Sequence, residues 1–156
     1  MSALNRVRGR GRQKGAAAIE FALLFILFFA LFYAIIAYSL AMLMMQGLTQ
    51  AAEEGARAAI SVNPLAYSTE AAYQGAVEAT AENRAAAALS WLPRTAHDQV
   101  VGGGNIDAVL AGNLVTVTVT YPDYANTGLV PTLTLPLIGD VPRVPVNLVG
   151  SASLQI

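Results

Sequence analysis

No cysteine occurs in the 156 residues. That excludes a disulfide framework and thiolate chemistry, and it disfavours a structural zinc site of the usual kind. A place outside the cytoplasm stays open, because many exported bacterial domains manage without disulfides; the compartment has to be read from topology. Histidine is nearly absent too. His97 is the only one, beside Asp98 in an expected loop, with no nucleophile or metal ligand at a catalytic spacing. Asp107, Asp123 and Asp140 are single acids in turn-like contexts, where aspartate serves the backbone. Gly102-Gly103-Gly104-Asn105 follows a short apolar pair instead of opening a capped helix, so it reads as a turn and not a phosphate cradle. Catalytic residues, metal ligands and cofactors are therefore expected to be none, with no small-molecule substrate and no enzyme activity.

Charge is scarce as well, at 12% of residues, and the net charge is −1. Beyond Glu20 the basic residues are Arg57, Arg84, Arg94 and Arg143, scattered among nine acids. A nucleic-acid footprint needs a basic face on the folded domain, and none is visible. The other five positive charges, Arg6, Arg8, Arg10, Arg12 and Lys14, fall within the first 14 residues with no acid among them. That block reads as a topogenic signal.

What the chain has in excess is apolar surface. Hydrophobic residues make up 55%, concentrated in residues 16–45 and in an alanine-rich middle. Phe21 to Met45 carries no charge; Tyr33, Tyr38 and Ser39 are its only polar side chains. As a helix this run is roughly 37 Å long against about 30 Å of hydrocarbon, enough to span with tilt. The positive-inside bias puts residues 1–14 in the cytoplasm and everything after Gln46 on the far side. Two plainer readings compete. A cleaved signal peptide would end at a small-x-small site such as Ser39-Leu40-Ala41, but the apolar run continues past it. An unprocessed signal anchor explains the hydropathy and the arginines, and leaves Glu20 without a purpose.

Glu20 stands at the lip of the span, where a carboxylate is costly and calls for a partner. A cut after Gly15 would make Ala16 the new N-terminus and carry its ammonium to the membrane boundary. The positive group opposes the helix dipole, whereas a carboxylate in the first turn complements it. Ala16 and Glu20 are four residues apart and share a helix face. Pairing of the two charges, within a chain or between neighbours, would fix the axial register of packed helices.

The string Gly15-Ala16-Ala17-Ala18-Ile19-Glu20-Phe21-Ala22-Leu23 resembles a type IV prepilin-like processing site: a basic leader ending in glycine, then glutamate at the fifth position of the mature chain. Together with Ala51-Ala52-Glu53-Glu54-Gly55-Ala56-Arg57-Ala58-Ala59, the strand-like 115–122 and the closing 149–153, the chain is similar to the TadE-like family, minor pseudopilins of the tight-adherence (Flp) pilus system. The resemblance implies Gly15 as the last leader residue, Ala16 as the mature N-terminus, and Glu20 with Phe21 as the assembly residues. It implies a prepilin peptidase as processing partner and other pilins, pseudopilins and the assembly machinery as further partners. Localisation would be the bacterial inner membrane, single-pass, with the outer domain periplasmic or carried into the pilus. Family members often carry proline shortly after the E-F-A-L string; here the stretch is Leu24-Phe25-Ile26-Leu27, which implies a straighter helix and leaves the sister TadF-like proteins in view. The alternative function is an unprocessed single-pass anchor that binds an envelope partner.

The segments expected are a basic leader over 1–15, a transmembrane and extended N-terminal helix over 16–62, and an extracytoplasmic α+β domain over 63–156. Leu48, Ala51, Ala52, Gly55, Ala56 and Ala59 recur at helical spacing, so the first helix continues past the membrane to Asn63-Pro64. Gly47 and Gly55 weaken that helix or let another approach closely. A second helix is expected from about Thr69 to Leu92, capped by Ser68 or Thr69, with Tyr73, Val77, Thr80, Arg84, Ala87, Ala88 and Trp91 on one side and Gln74, Glu78 and Glu82 nearer the other. From Val100 the pattern changes to strands and turns. Residues 115–121 alternate Val and Thr, Pro122, Pro131, Pro136, Pro142 and Pro145 break the next stretch, and Val144 to Ile156 alternates to the end. The fold class expected is α+β, pilin-like: a long transmembrane helix, a second helix and a small antiparallel sheet.

Overall fold

The computed structural model describes residues 13–135 and 139–156. Its layout is the expected α+β one: a long apolar N-terminal helix, further helices and a small antiparallel sheet. The chain divides into two compact units, one ending at Ile36 and one running from Ala37 to Ile156.

The first unit is the N-terminal part of α1, which as a whole runs Gln13–Ala59. From Ile19 to Ile36 nearly every large apolar side chain stands exposed, Phe21 by 68% and Phe28 by 64%. Phe21, Phe25, Phe29 and Tyr33 stack along one face at centroid spacings of 6.0, 6.3 and 6.3 Å. Phe28 and Phe32 form a second such step. The helix is long and apolar enough to cross a membrane. A surface of this kind is unfavourable in water at about 25 cal/mol per Å² of apolar area.

In the second unit the rest of α1 changes role. Ala41, Met44, Leu48, Ala51, Ala52, Ala56 and Ala59 are buried in the core, at the three- and four-residue spacing of one helix face. The apolar run 21–45 therefore serves two surroundings, and its last two turns are partly covered by the chain's own domain.

Helix α2 runs Glu70–Ala88. Thr69 caps it by accepting the Ala72 N–H at 3.2 Å, and Glu70 favours its first turn. It stops earlier than residue 92, because Leu89 and Leu92 both turn into the core and Leu89 leaves helical geometry at ψ 7°. The buried stripe is Val77, Ala81 and Ala85. The expected face of Thr80, Arg84, Ala87 and Trp91 is corrected accordingly: an i, i+4 stripe of alanines meets α1, and Arg84 and Trp91 lie exposed. The shared surface is tight. A Cβ on Gly55 would lie 2.7 Å from the Ala81 carbonyl oxygen, and a Cβ on Gly47 would collide with the Trp91 indole. Both glycines are thus explained by close approach.

Residues after α2 remain helical for longer than expected. A turn α3 at Arg94–His97 passes directly into a wide turn at Asp98–Gly102, so His97 is helical instead of looped and strands do not begin at Val100. Strand β1, Ile106–Ala111, pairs antiparallel with β2, Leu114–Tyr121, through the two-residue turn Gly112-Asn113. Gly112 takes φ +61°, as the first central residue of such hairpins requires. Asp107 sits inside β1 and not in a turn. Val115, Val117, Val119 and Tyr121 are buried while the threonines between them face outward, as the alternation requires.

The long connection after β2 contains a helical turn, α4 at Tyr124–Thr127, and a small hairpin of β3, Leu133–Leu135, with β4, Gly139–Val141. Pro136 lies outside the described residues. Tyr121 packs edge-on against Tyr124 at 5.1 Å and donates its hydroxyl to the Thr127 carbonyl at 3.0 Å. Asp123 takes a left-handed φ of 51° and donates its N–H to the Asn147 side chain; Asp140, in β4, accepts the Thr134 hydroxyl. The last strand, β5, is Leu148–Gln155 and lies antiparallel to β2, giving the order β1-β2-β5. Val144 and Val146 precede the strand, and Val146 is 63% exposed, so the inward series starts only at Leu148. The Ile156 N–H reaches the Asn113 carbonyl at 2.8 Å, which holds the end of the chain in the sheet. Gly150 meets the α1 backbone at Leu48 and Thr49, where a side chain has no room.

Candidate processing and assembly site

Gly15, Ala16, Glu20 and Phe21 all lie on the first turns of α1 and all are exposed. The helix starts at Gln13, so the Gly15–Ala16 bond is in helical backbone. A Cβ on Gly15 would meet nothing within 4 Å; glycine is not required there for packing or for backbone conformation. Ala16 and Glu20 share one face. Phe21 starts the aromatic ladder, next in sequence to the carboxylate. Among residues whose side chains are described, Glu20 forms no ion pair or hydrogen bond. Arg6, Arg8, Arg10 and Arg12 lie outside the described residues, and of Lys14 only the helical backbone is described.

The other charges of α1 are engaged within the second unit. Glu53 pairs with Arg57 at 3.1 Å along the helix. Glu54 takes both Nε and Nη2 of Arg84, at 3.2 and 2.7 Å, and so ties α1 to α2. The Arg84 hydrogen bond, and then its charge, hold the Glu54 carboxyl below the usual glutamate range.

Glu78 and Glu82 carry a function that periodicity did not disclose. Glu78 Oε1 accepts the Leu110 N–H at 3.0 Å, and Glu82 Oε1 accepts the Ala108 N–H at 3.3 Å. Gln74 Nε2 donates to the Leu110 carbonyl and to Glu78. These three side chains recur at four-residue spacing on α2 and occupy the outer edge of β1, a strand with no strand neighbour on that side. The available signal was the polar row 74-78-82 itself, on a helix long enough to lie along a strand.

For chemistry the site offers little. The His97 Nδ1 and Asp98 Oδ1 are 3.9 Å apart at the surface. Among the described residues no group of three or more His, Asp or Glu side chains is placed to hold a metal ion.

Residues 15–57 match the family model described as TadE-like protein. No curated protein and no solved structure matches the chain. The matched segment starts at Gly15, takes in Glu20 and the exposed apolar helix, and ends at Arg57, just past the Gly55 contact with α2. Over residues 15–57, less than half of the chain, the sequence is similar to TadE-like proteins.

Proposed function

We propose that the chain is a minor pseudopilin, cut by a prepilin peptidase after Gly15 and assembled with other pilins in a Flp (Tad) type IVb pilus for surface adherence. The observation that carries this reading is the placement of Glu20: a carboxylate at the head of an exposed apolar helix, without a described partner in its own chain. A charge at a membrane boundary is retained when something neutralises it. The ammonium released on Ala16 is on the same helix face, and in a bundle of trimmed helices each carboxylate has an ammonium at the same depth. The basic block 6–14 stays cytoplasmic in this reading, the helix crosses the inner membrane once, and the second unit lies in the periplasm or in the filament.

The test of assembly is Glu20→Ala in a cell that makes the whole pilus system. Membrane insertion is expected to be unchanged, and recovery of pilins with the tagged chain is expected to fall at least roughly tenfold, the equivalent of about 1.4 kcal/mol. Unchanged recovery would remove Glu20 from the account. Glu20→Gln separates charge from shape: it should behave like the alanine variant.

A further inference from the structure

Two parts of the second unit return to α1 just where its apolar run ends. The first follows α2. Glu54 meets Arg84, Gly55 meets Ala81, and Gly47 meets Trp91, so the chain from α2 onward runs back along α1 and delivers Trp91 to Gly47. The second precedes β5. Gly150 meets Leu48 and Thr49, and residues 151–154 lie beside Glu53, Ala56 and Arg57. Strand β5 therefore runs in the same sense as α1, and the loop before it lies at the same end of the unit as Trp91. The Arg143 N–H donates to the Tyr38 hydroxyl at 3.0 Å and ties that loop to the helix. Between loop and helix is a cleft of about 170 Å³, lined mainly by Tyr38, Met42 and Met45 of α1 and by Val144, Pro145 and Val149. At about 100° per residue, Gly47 is roughly half a turn round the helix from Tyr38 and Met45. Trp91 and the loop thus flank α1 on different faces.

This end of the unit is apolar and uncovered. Tyr38, Met42, Met45, Trp91, Val146 and Val149 are all exposed, Trp91 by 48%. Tyrosine and tryptophan among aliphatic side chains are what a membrane–water interface selects, because each ring keeps its body in lipid and its polar tip in water. Sequence distance along α1 gives the depth. About 30 Å of hydrocarbon takes about 20 helical residues, and both headgroup layers bring the total to about 40–45 Å. Counted from Phe21, the hydrocarbon ends near residue 40, and the headgroup layer covers roughly the next four residues at 1.5 Å each. Tilt moves that boundary toward Met45. The cleft and Trp91 are joined to α1 between Tyr38 and Gly47, across this boundary.

We infer that Trp91 and the loop of residues 143–149 form a lipid-binding collar, seated in the outer headgroup layer of the membrane that α1 crosses. Its occupant is phospholipid, with the start of an acyl chain against the Met42–Val149 cleft. Continuity with the exposed apolar helix selects lipid, since these side chains stand at the level where that helix leaves the hydrocarbon. The inference rests on the reading that α1 spans a membrane; it requires neither cleavage after Gly15 nor pairing of Glu20.

Trp91 is the only tryptophan, so the unaltered full chain reports on its own depth. It is reconstituted in vesicles of phosphatidylcholine whose acyl chains carry bromine just below the headgroup. Trp91 emission is expected to fall at least about twofold against unbrominated lipid, and to fall less when the bromine is at the chain ends. Leu31→Trp in a Trp91→Phe background reports on the span, and should be quenched most by bromine at the chain ends. With no native cysteine, a dye is placed on Val146→Cys, which should be quenched by bromine below the headgroup, and on Ser153→Cys, which should not. A quenched Leu31→Trp beside an unquenched Trp91 and Val146 dye would overturn the inference and leave the span standing. An unquenched Leu31→Trp would remove the span and the inference together. Shielding of Trp91 that needs added pilins, without quenching by lipid, would give this surface to a protein and overturn the inference as well.

Discussion

Gly55 and Glu54 tie α1 to α2 in the second unit. Gly55 lets α1 and α2 approach until a backbone oxygen is where a side chain would be. Gly55→Val must push the helices apart or shift Ala81, and overpacking of that kind costs about 1–3 kcal/mol. The expected result is a melting temperature lower by roughly 2–4 °C for each kcal/mol. Gly15→Ala, by contrast, places its methyl in open space on a helix and should leave stability unchanged or slightly higher; a loss there would mean that Gly15 has a structural role. The Glu54–Arg84 pair makes a pH prediction. Because the folded-state carboxyl titrates below its ordinary value, its contribution is fully present above the ordinary glutamate value of about 4.3 and fades as pH falls through the folded value. Urea midpoints at pH 7 and near pH 3 should therefore differ more in the parent than in Arg84→Met. Both side chains are well solvated, so the difference is small and salt-sensitive.

Among the elements, α2 both fills the core and closes a sheet edge. Glu78→Ala should speed hydrogen exchange at the Leu110 amide several-fold and lower stability by about 1 kcal/mol, since an accepted N–H is returned to water. An unchanged Leu110 amide would show that the side chain does not close that edge. The elements were legible in the sequence to differing degrees, for physical reasons. Strand β2 could be read directly because Val and Thr alternate over one buried and one half-open face. The start of α2 could be read from Thr69, whose cap is a local interaction. Its end could not, because Leu89 and Leu92 leave the helix for a tertiary reason, the pull of the core. The polar row Gln74, Glu78 and Glu82 looked like a solvated face; its partners are backbone groups more than 25 residues away, which no local pattern records. Gly47 and Gly55 gave a correct hint of close approach without naming Trp91 or Ala81 as the neighbour. The residues proposed for processing and assembly, Gly15, Ala16, Glu20 and Phe21, lie close together in sequence, so a local pattern is enough to place them at the start of one helix.

For the whole molecule, the division at Ile36 separates two kinds of surface. Up to Ile36 the described helix is apolar and exposed, and its natural surroundings are lipid or other apolar helices. From Ala37 the chain has a buried apolar core around Met44, Leu48, Val117 and Leu89, while Met42, Leu43 and Met45 of α1 still stand exposed. Hydropathy reads the apolar run through to Met45 and cannot distinguish lipid from the chain's own core as the cover for Ala41 and Met44. The central claim, however, concerns the other end of the helix: the bond after Gly15, the amine on Ala16 and the carboxylate of Glu20 act together. The mature N-terminus tests it most directly. The protein is extracted from membranes of cells that contain the prepilin peptidase and its N-terminus is sequenced, with intact mass as a check. The account predicts a chain that begins at Ala16; a chain that still carries Arg6 to Gly15 in those cells would contradict it.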